Sequence, residues 1–242
     1  MKILAYIILH TGAPYLKAAV DAILPQVDKL IIAYSPVPTQ GFKTDIPCPD
    51  KWEDLYPLAE DAIWIYGQWR NEVEHLDAVW PYTRGFDYLV RLDSDEIFPP
   101  GMVDEMIAQA ETVPSQRFRI PFQHFWRSFS KVCRDGSHPI RLTKLHGGVK
   151  GSEVTLDSKG GKWVVHHMGY AQPTKYIEYK MAVSGHKPEW RKNWFDDIWL
   201  KNEQINVHPV MFEGHWNSED FDKNTLPEVL KQHPYFNKEI IE

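Results

Sequence analysis

Asp93-Ser94-Asp95-Glu96 closes an almost wholly apolar run, Tyr88 to Leu92, and its residue types and spacing suggest chemistry. In an extended chain, residues two apart project to the same side. Asp93 and Asp95 are therefore expected to offer two carboxylates together at the carboxyl end of a strand. Hard divalent cations take oxygen ligands, and Mg²⁺ typically keeps one or two carboxylates and completes its shell with substrate phosphates. Mn²⁺ accepts the same set and tolerates an added imidazole. A cation so held neutralises a diphosphate and stabilises it as a leaving group. An EF-hand loop is excluded, because Ile97 stands at the third ligand position and the required glycine is missing. The bland reading is a pair of solvated carboxylates capping a strand.

The elements that must position this pair alternate. Lys2 to Leu9 is nearly all apolar, the pattern of a strand covered on both faces. After Gly12-Ala13-Pro14, the residues Leu16, Val20, Ile23 and Leu24 recur at helical spacing, and Lys29 to Tyr34 is a second strand. Ser35 to Leu58, rich in Pro and polar residues, reads as a long loop with a short helical piece. A third strand is expected at Ala62 to Tyr66, and a helix from Arg70 to Trp80 with Val73, Leu76 and Trp80 on one helical stripe. Tyr88 to Leu92 is the fourth strand, followed by a helix from Met102 to Ala110. This order implies a mostly parallel sheet with ligands beyond the strand C-termini.

The second half reads differently. Arg117 to Trp126, His138 to Leu145 and Lys162 to His167 look like strands of a mixed or antiparallel sheet. A helix is expected from Thr174, as N-cap, to Ser184, and a short one after Pro227.

Composition narrows the function. The 27 basic and 33 acidic residues leave a formal charge of −6, against a dedicated nucleic-acid binder. A basic strip from Lys144 to Lys162 keeps DNA as a minority acceptor. Cys48 and Cys133 form no disulfide framework and read as reduced thiols of a cytoplasmic protein. No transmembrane segment is expected, the run Ile3 to Leu9 being too short to span a bilayer. Aromatics are abundant, and Phe122, Phe125, Trp126 and the Trp190–Trp199 segment are expected to meet the acceptor, since aromatic faces stack on sugars.

Four segments carry a family resemblance: Arg70-Asn71-Glu72, Leu92-Asp93-Ser94-Asp95-Glu96, His166-His167-Met168-Gly169-Tyr170 and Leu226-Pro227-Glu228-Val229-Leu230. In this order they resemble the glycosyltransferases of the GT-A fold, especially the compact bacterial and phage enzymes of family 2. The resemblance implies an α/β fold: a GT-A-like, Rossmann-type mixed sheet with flanking helices and a helical C-terminal extension. Residues 1–170 would be the catalytic domain, 1–100 its nucleotide-sugar half and 101–170 its acceptor half, with 171–242 as the extension.

It further implies metal-dependent sugar transfer from a nucleoside-diphosphate-sugar donor to a hydroxyl acceptor, a glycan, a lipid-linked glycan or a modified phage DNA base. Asp95 would contact Mn²⁺ or Mg²⁺, and Asp93 the donor ribose, the metal or both. The spacing His-x-Gly-Tyr favours His167 over His166 as a further metal ligand. Arg70 and Asn71 would lie near the nucleotide, and His10, Thr11 and Ser35 near the nucleobase. Ser35-Pro36-Val37-Pro38 lacks the acidic residue often found there, so UDP, GDP, CDP and dTDP all stay open. Inversion is the expected stereochemistry, with Asp135, Glu153 and Asp157 as candidates for the base that deprotonates the acceptor. Oligomeric state is left open. Two alternatives stand beside this reading. One is a nucleotidyltransferase making nucleotide-sugars, disfavoured because His10-Thr11-Gly12-Ala13-Pro14 is not a Gly-rich phosphate loop. The other is a non-catalytic carbohydrate-binding protein.

Overall fold

Seven apolar residues in succession, Ile3–Leu9, form β1 with every position buried. The computed structural model, which describes residues 1–133, 138–210 and 216–239, continues in chain order from there. Next come α1 (Leu16–Ile23), β2 (Lys29–Tyr34), α2 (Trp52–Leu55), β3 (Ile63–Tyr66), α3 (Glu72–Asp77) and β4 (Tyr88–Arg91). They are followed by β5 (Glu96–Ile97), α4 (Met102–Ala110), β6 (Ser115–Arg119), β7 (Phe122–Trp126) and β8 (Lys131–Cys133). The last elements are β9 (Ile140–Lys144), β10 (Val149–Thr155), β11 (Val165–Tyr170), α5 (Thr174–Val183), β12 (Ser218–Asp220) and α6 (Glu228–Lys231).

The chain divides into two compact units, each assembled from separated segments. The first takes residues 1–39, 50–122 and 138–166. Its seven-stranded sheet runs β10-β6-β9-β4-β1-β2-β3. β3, β2, β1 and β4 are mutually parallel, so their carboxyl ends share one rim. β9 enters antiparallel between β4 and β6, and β10 then lies parallel to β6. This is the α/β, Rossmann-type mixed sheet with flanking helices that the sequence implies. One face packs Leu4, Tyr6, Ile8, Ile31, Ala33, Val79, Phe86 and Leu89 into a single cluster.

The second unit takes residues 40–49, 123–133 and the described part of 167–239. Strands of a second sheet run β12-β8-β7-β11, with β8 antiparallel to both β7 and β12. Its core is built of Trp126, Tyr170, Ile177, Trp194, Trp199, Val207 and Trp216. Trp126, Trp194 and Trp199 are at most 1% exposed, and Phe125 is buried too. Phe125, Trp126, Trp194 and Trp199 thus fill a core rather than face an acceptor, correcting the expectation for these four, while Phe122 and Trp190 are partly exposed. Rings of this size supply most of the apolar area a small unit can bury.

Other differences have local causes. The single strand expected over Arg117 to Trp126 breaks at Ile120-Pro121 into β6 and β7, since proline has no N–H for a ladder. α3 covers only six residues, and Val73 and Trp80 are exposed. The helix is docked instead by buried His75, which donates Nε2–H to the Ala33 carbonyl (2.7 Å) and stacks on Trp69. Thr174 is the first residue of α5 rather than its cap, Pro173 preceding it in extended conformation. Among the described residues, no helix is long and apolar enough to cross a membrane.

Candidate functional site

The rim of the first unit gathers much of what the sequence singled out. β4 ends at Arg91, and the backbone of Leu92 still donates to Tyr6 of β1 (3.1 Å). The next four residues leave the strand. Glu96 N–H returns to the Asp93 carbonyl (3.1 Å), so Asp93-Ser94-Asp95-Glu96 is a β-turn. The strand-period argument for Asp93 and Asp95 is thus corrected, because a turn rather than an extended chain carries both carboxylates. Ser94, between them, donates its hydroxyl to the Thr11 carbonyl (3.3 Å), tying the turn to the loop after β1.

Gly12 explains how the two loops come so close. A Cβ added there would stand 2.6 Å from Ser94 Cβ and nearer still to its Oγ. The backbone of Gly12 has φ +159°, which L side chains rarely adopt, so lack of space and backbone conformation both demand glycine. The same loop is clamped from the other side. Asp50, 3% exposed, accepts from the backbone N–H groups of Gly12 (2.7 Å) and Ala13 (3.0 Å). Asp50 was not singled out in the sequence. It arrives from the far end of the loop after β2, and no local spacing advertises it.

His10 and Ser35 lie together at the ends of β1 and β2. His10 donates Nδ1–H to the Ser35 carbonyl (2.8 Å), and burial pulls its pKa below the ordinary histidine value. The Ser35 hydroxyl is fully buried and donates to the Val37 carbonyl (2.7 Å). Thr11 contributes its carbonyl to Ser94, as above. Asn71 caps α3, accepting from Glu74 N–H (3.0 Å), while Arg70 is highly exposed and pairs with Glu74. Glu72 reaches Arg91 (3.1 Å), and Arg91 lies 3.9 Å from Asp93, which links α3 to the acidic turn.

Arg141 on β9 was also missed, and it is the most heavily bonded group at the turn. Its Nε donates to Glu96 Oε2 (2.7 Å) and its Nη2 to Glu96 Oε1 and to Asp93 Oδ2 (2.8 Å). Glu96 is 1% and Arg141 8% exposed. Burial raises the Glu96 carboxyl to about 8, the neighbouring Arg141 guanidinium offsetting only part of that rise. Both Glu96 oxygens accept hydrogen bonds, the geometry of an ion pair. The pairing of β9 against β4 sets this contact, so its only trace in the sequence is an arginine 45 residues away.

Of the candidate bases, Asp135 lies outside the described residues. Glu153 on β10 is held between Arg117 and Arg119, each at 2.5 Å. Asp157 follows β10 on the rim shared with β4, where its carboxylate accepts from Lys159 N–H (3.0 Å). Both are three strands from β4, roughly 14 Å at about 4.8 Å per strand. Neither is brought to the acidic turn.

His167 belongs to the second unit. Its Nδ1 shares a proton with His124 Nδ1 (2.7 Å), and its ring lies where a Gly169 Cβ would stand, at 2.5 Å. That contact accounts for the glycine in His-x-Gly-Tyr. Neighbouring His166 is 8% exposed, and burial pushes its imidazole down to about 4. A histidine kept neutral in the fold but protonated on unfolding at about 6.5 makes stability fall as pH drops between those values. Urea unfolding should therefore show a loss approaching about 3 kcal/mol from pH 7 to pH 4, less in His166→Leu. Equal pH dependence in both proteins would refute this.

Among the described residues, no group of three or more His, Cys, Asp or Glu side chains is arranged to hold a metal ion. What the turn offers is the two-carboxylate set that Mg²⁺ and Mn²⁺ use when phosphates complete the shell. Asp93 and Asp95 are both partly exposed, which suits that role.

No family model matches this chain, and no curated protein matches it. Solved structures match it in part. S. aureus TarS 1–349 is 10% identical with a TM-score of 0.35 over 51% of this chain and 36% of that one. A mycobacterial protein is 19% identical at TM-score 0.37, over 52% and 41%. The 4-diphosphocytidyl-2C-methyl-D-erythritol synthase of Anaerococcus prevotii is 11% identical at 0.36, over 59% and 70%. This chain thus spans about a third of the TarS chain it matches.

Proposed function

We propose that this chain is a glycosyltransferase that binds a nucleoside-diphosphate sugar along the rim of β4, β1 and β2 and passes the sugar to a hydroxyl acceptor. The observation that carries the reading is the turn Asp93-Ser94-Asp95, docked through Ser94 onto the loop after β1 at the carboxyl ends of parallel strands. Ligands of open parallel sheets bind at that edge. His10, Thr11 and Ser35 occupy the neighbouring strand ends, where the nucleobase is expected, and Arg70 and Asn71 the start of α3, on the nucleotide side. Asp95, with Asp93, would hold Mn²⁺ or Mg²⁺, and His167 is the further ligand proposed from the resemblance. When bound, the cation supplies charge neutralisation for the departing diphosphate.

The Asp50 clamp favours transfer over nucleotidyl synthesis. Gly12 and Ala13 N–H groups, which a phosphate-binding loop would offer to a triphosphate, already bond an internal carboxylate. For the acceptor base, Glu153 is the weaker candidate, because taking a proton would break two ion pairs. Asp157 and Asp135 remain, and inversion is the proposed outcome.

A thermal-shift series with UDP, GDP, CDP and dTDP tests the reading. One nucleotide at a hundred times its Kd should stabilise the protein by about 2.7 kcal/mol, and only with Mn²⁺ or Mg²⁺ present. Indifference to all four, with and without metal, would sink it.

A further inference from the structure

The third acid of the motif, Glu96, is not placed as a ligand. Glu96 is buried, and it grips Asp93 twice. Its Oε2 accepts the Asp93 backbone N–H (3.2 Å), and its fork with Arg141 holds the guanidinium whose Nη2 donates to the Asp93 carboxylate (2.8 Å). A fourth Arg141 bond, Nη1 to the Ile140 carbonyl (3.3 Å), fixes the guanidinium to its own strand, and Phe122 lies beneath it (5.3 Å). Asp93 is thereby set in its backbone by Glu96 of the turn and in its side chain by Arg141 reaching across from β9.

The geometry points to Arg141 as a positioning residue: braced by Glu96, it orients the Asp93 carboxylate toward the metal and diphosphate of the donor. This rests on the nucleotide-sugar reading above. A planar guanidinium is required, since one group must serve two carboxylates from a fixed fork, which a lysine ammonium does not reproduce. Glu96 acts on Asp93 both through Arg141 and through the Asp93 backbone N–H.

A structural role alone must be separated from positioning. Removing one member of a buried pair strands a charge, whereas replacing both with apolar residues of similar volume often leaves stability intact. The test titrates Mn²⁺ alone, by electron paramagnetic resonance, and Mn²⁺ with each of UDP, GDP, CDP and dTDP, by calorimetry. The proteins are the wild type, Arg141→Lys and the double variant Arg141→Met with Glu96→Leu. The double variant is expected to melt close to wild type yet bind the Mn²⁺–nucleotide pair at least tenfold more weakly. Arg141→Lys is expected to show the same loss, and it decides the matter should the double variant fail to fold. Wild-type affinity in a folded variant would overturn positioning and leave the glycosyltransferase reading standing. A wild-type protein that binds none of the four nucleotides would overturn both.

Discussion

Asp95→Ala is expected to abolish metal-dependent release of nucleoside diphosphate while leaving the protein folded. Asp95 sits in the middle of the turn at the sheet rim and is partly exposed, and the turn is closed by the backbone bond from Glu96 N–H to the Asp93 carbonyl. Its loss removes one of two carboxylates that would share the cation. Metal stabilisation of a developing charge supplies several kcal/mol, and each 1.36 kcal/mol is tenfold in rate, so a fall of roughly a thousandfold is expected. Turnover with Mn²⁺, measured as released diphosphate, reads this directly, and the melting temperature should move by no more than a few degrees. Undiminished release from Asp95→Ala, or full wild-type turnover in excess chelator, would dispose of the metal.

Gly12→Ala carries the second large effect. The new methyl would enter the space held by Ser94 Cβ and Oγ, with Leu9 Cδ1 3.1 Å away on another side. The Ser94 side chain cannot yield by swinging a flexible end aside, because its Cβ is itself too close. The acidic turn must therefore move off the loop after β1 and break the Ser94–Thr11 bond. Overpacking of this kind costs about 1–3 kcal/mol. An ångström-scale shift in a site can also cost on the order of a hundredfold in rate. Ser94→Gly alone should lose little stability, and combined with Gly12→Ala it should restore the part of the loss that the clash with Ser94 causes, as coupled neighbours do. Strictly additive losses in the double variant would show that the two loops do not meet as described.

Much of the fold was legible because its central strands are continuous apolar runs. Ile3–Leu9, Lys29–Tyr34 and Tyr88–Arg91 sit within a residue or two of where hydrophobic periodicity places them. The acidic motif was legible because it interrupts such a run. Other elements left no comparable mark. β10 reads Val-Lys-Gly-Ser-Glu-Val-Thr, largely exposed at the sheet edge, and pairing alone makes it a strand. β8 and β12 are three-residue strands, below the length at which alternation can be seen. The apolar stripe Val73–Trp80 misled because α3 ends at Asp77, so the two residues do not share a continuous helix. At the site, what escaped was whatever acts at long range. Asp50 reaches the Gly12 amide from 38 residues on, and Arg141 reaches Glu96 from 45. Each partner is an ordinary charged residue in its own neighbourhood, and only the sheet order makes it part of the rim.

The interleaving of the two units has a bearing on biosynthesis. β4 leaves the ribosome well before β9, its antiparallel neighbour, and Trp126 well before Trp194, Trp199 and Trp216, the rings that enclose it. A nascent chain must therefore carry a half-finished sheet edge until β9 emerges and an uncovered Trp126 until Trp216 does. Such intermediates are the species most prone to aggregate. Slower elongation or chaperone capture across residues 90–200 is where the yield of folded protein would be decided.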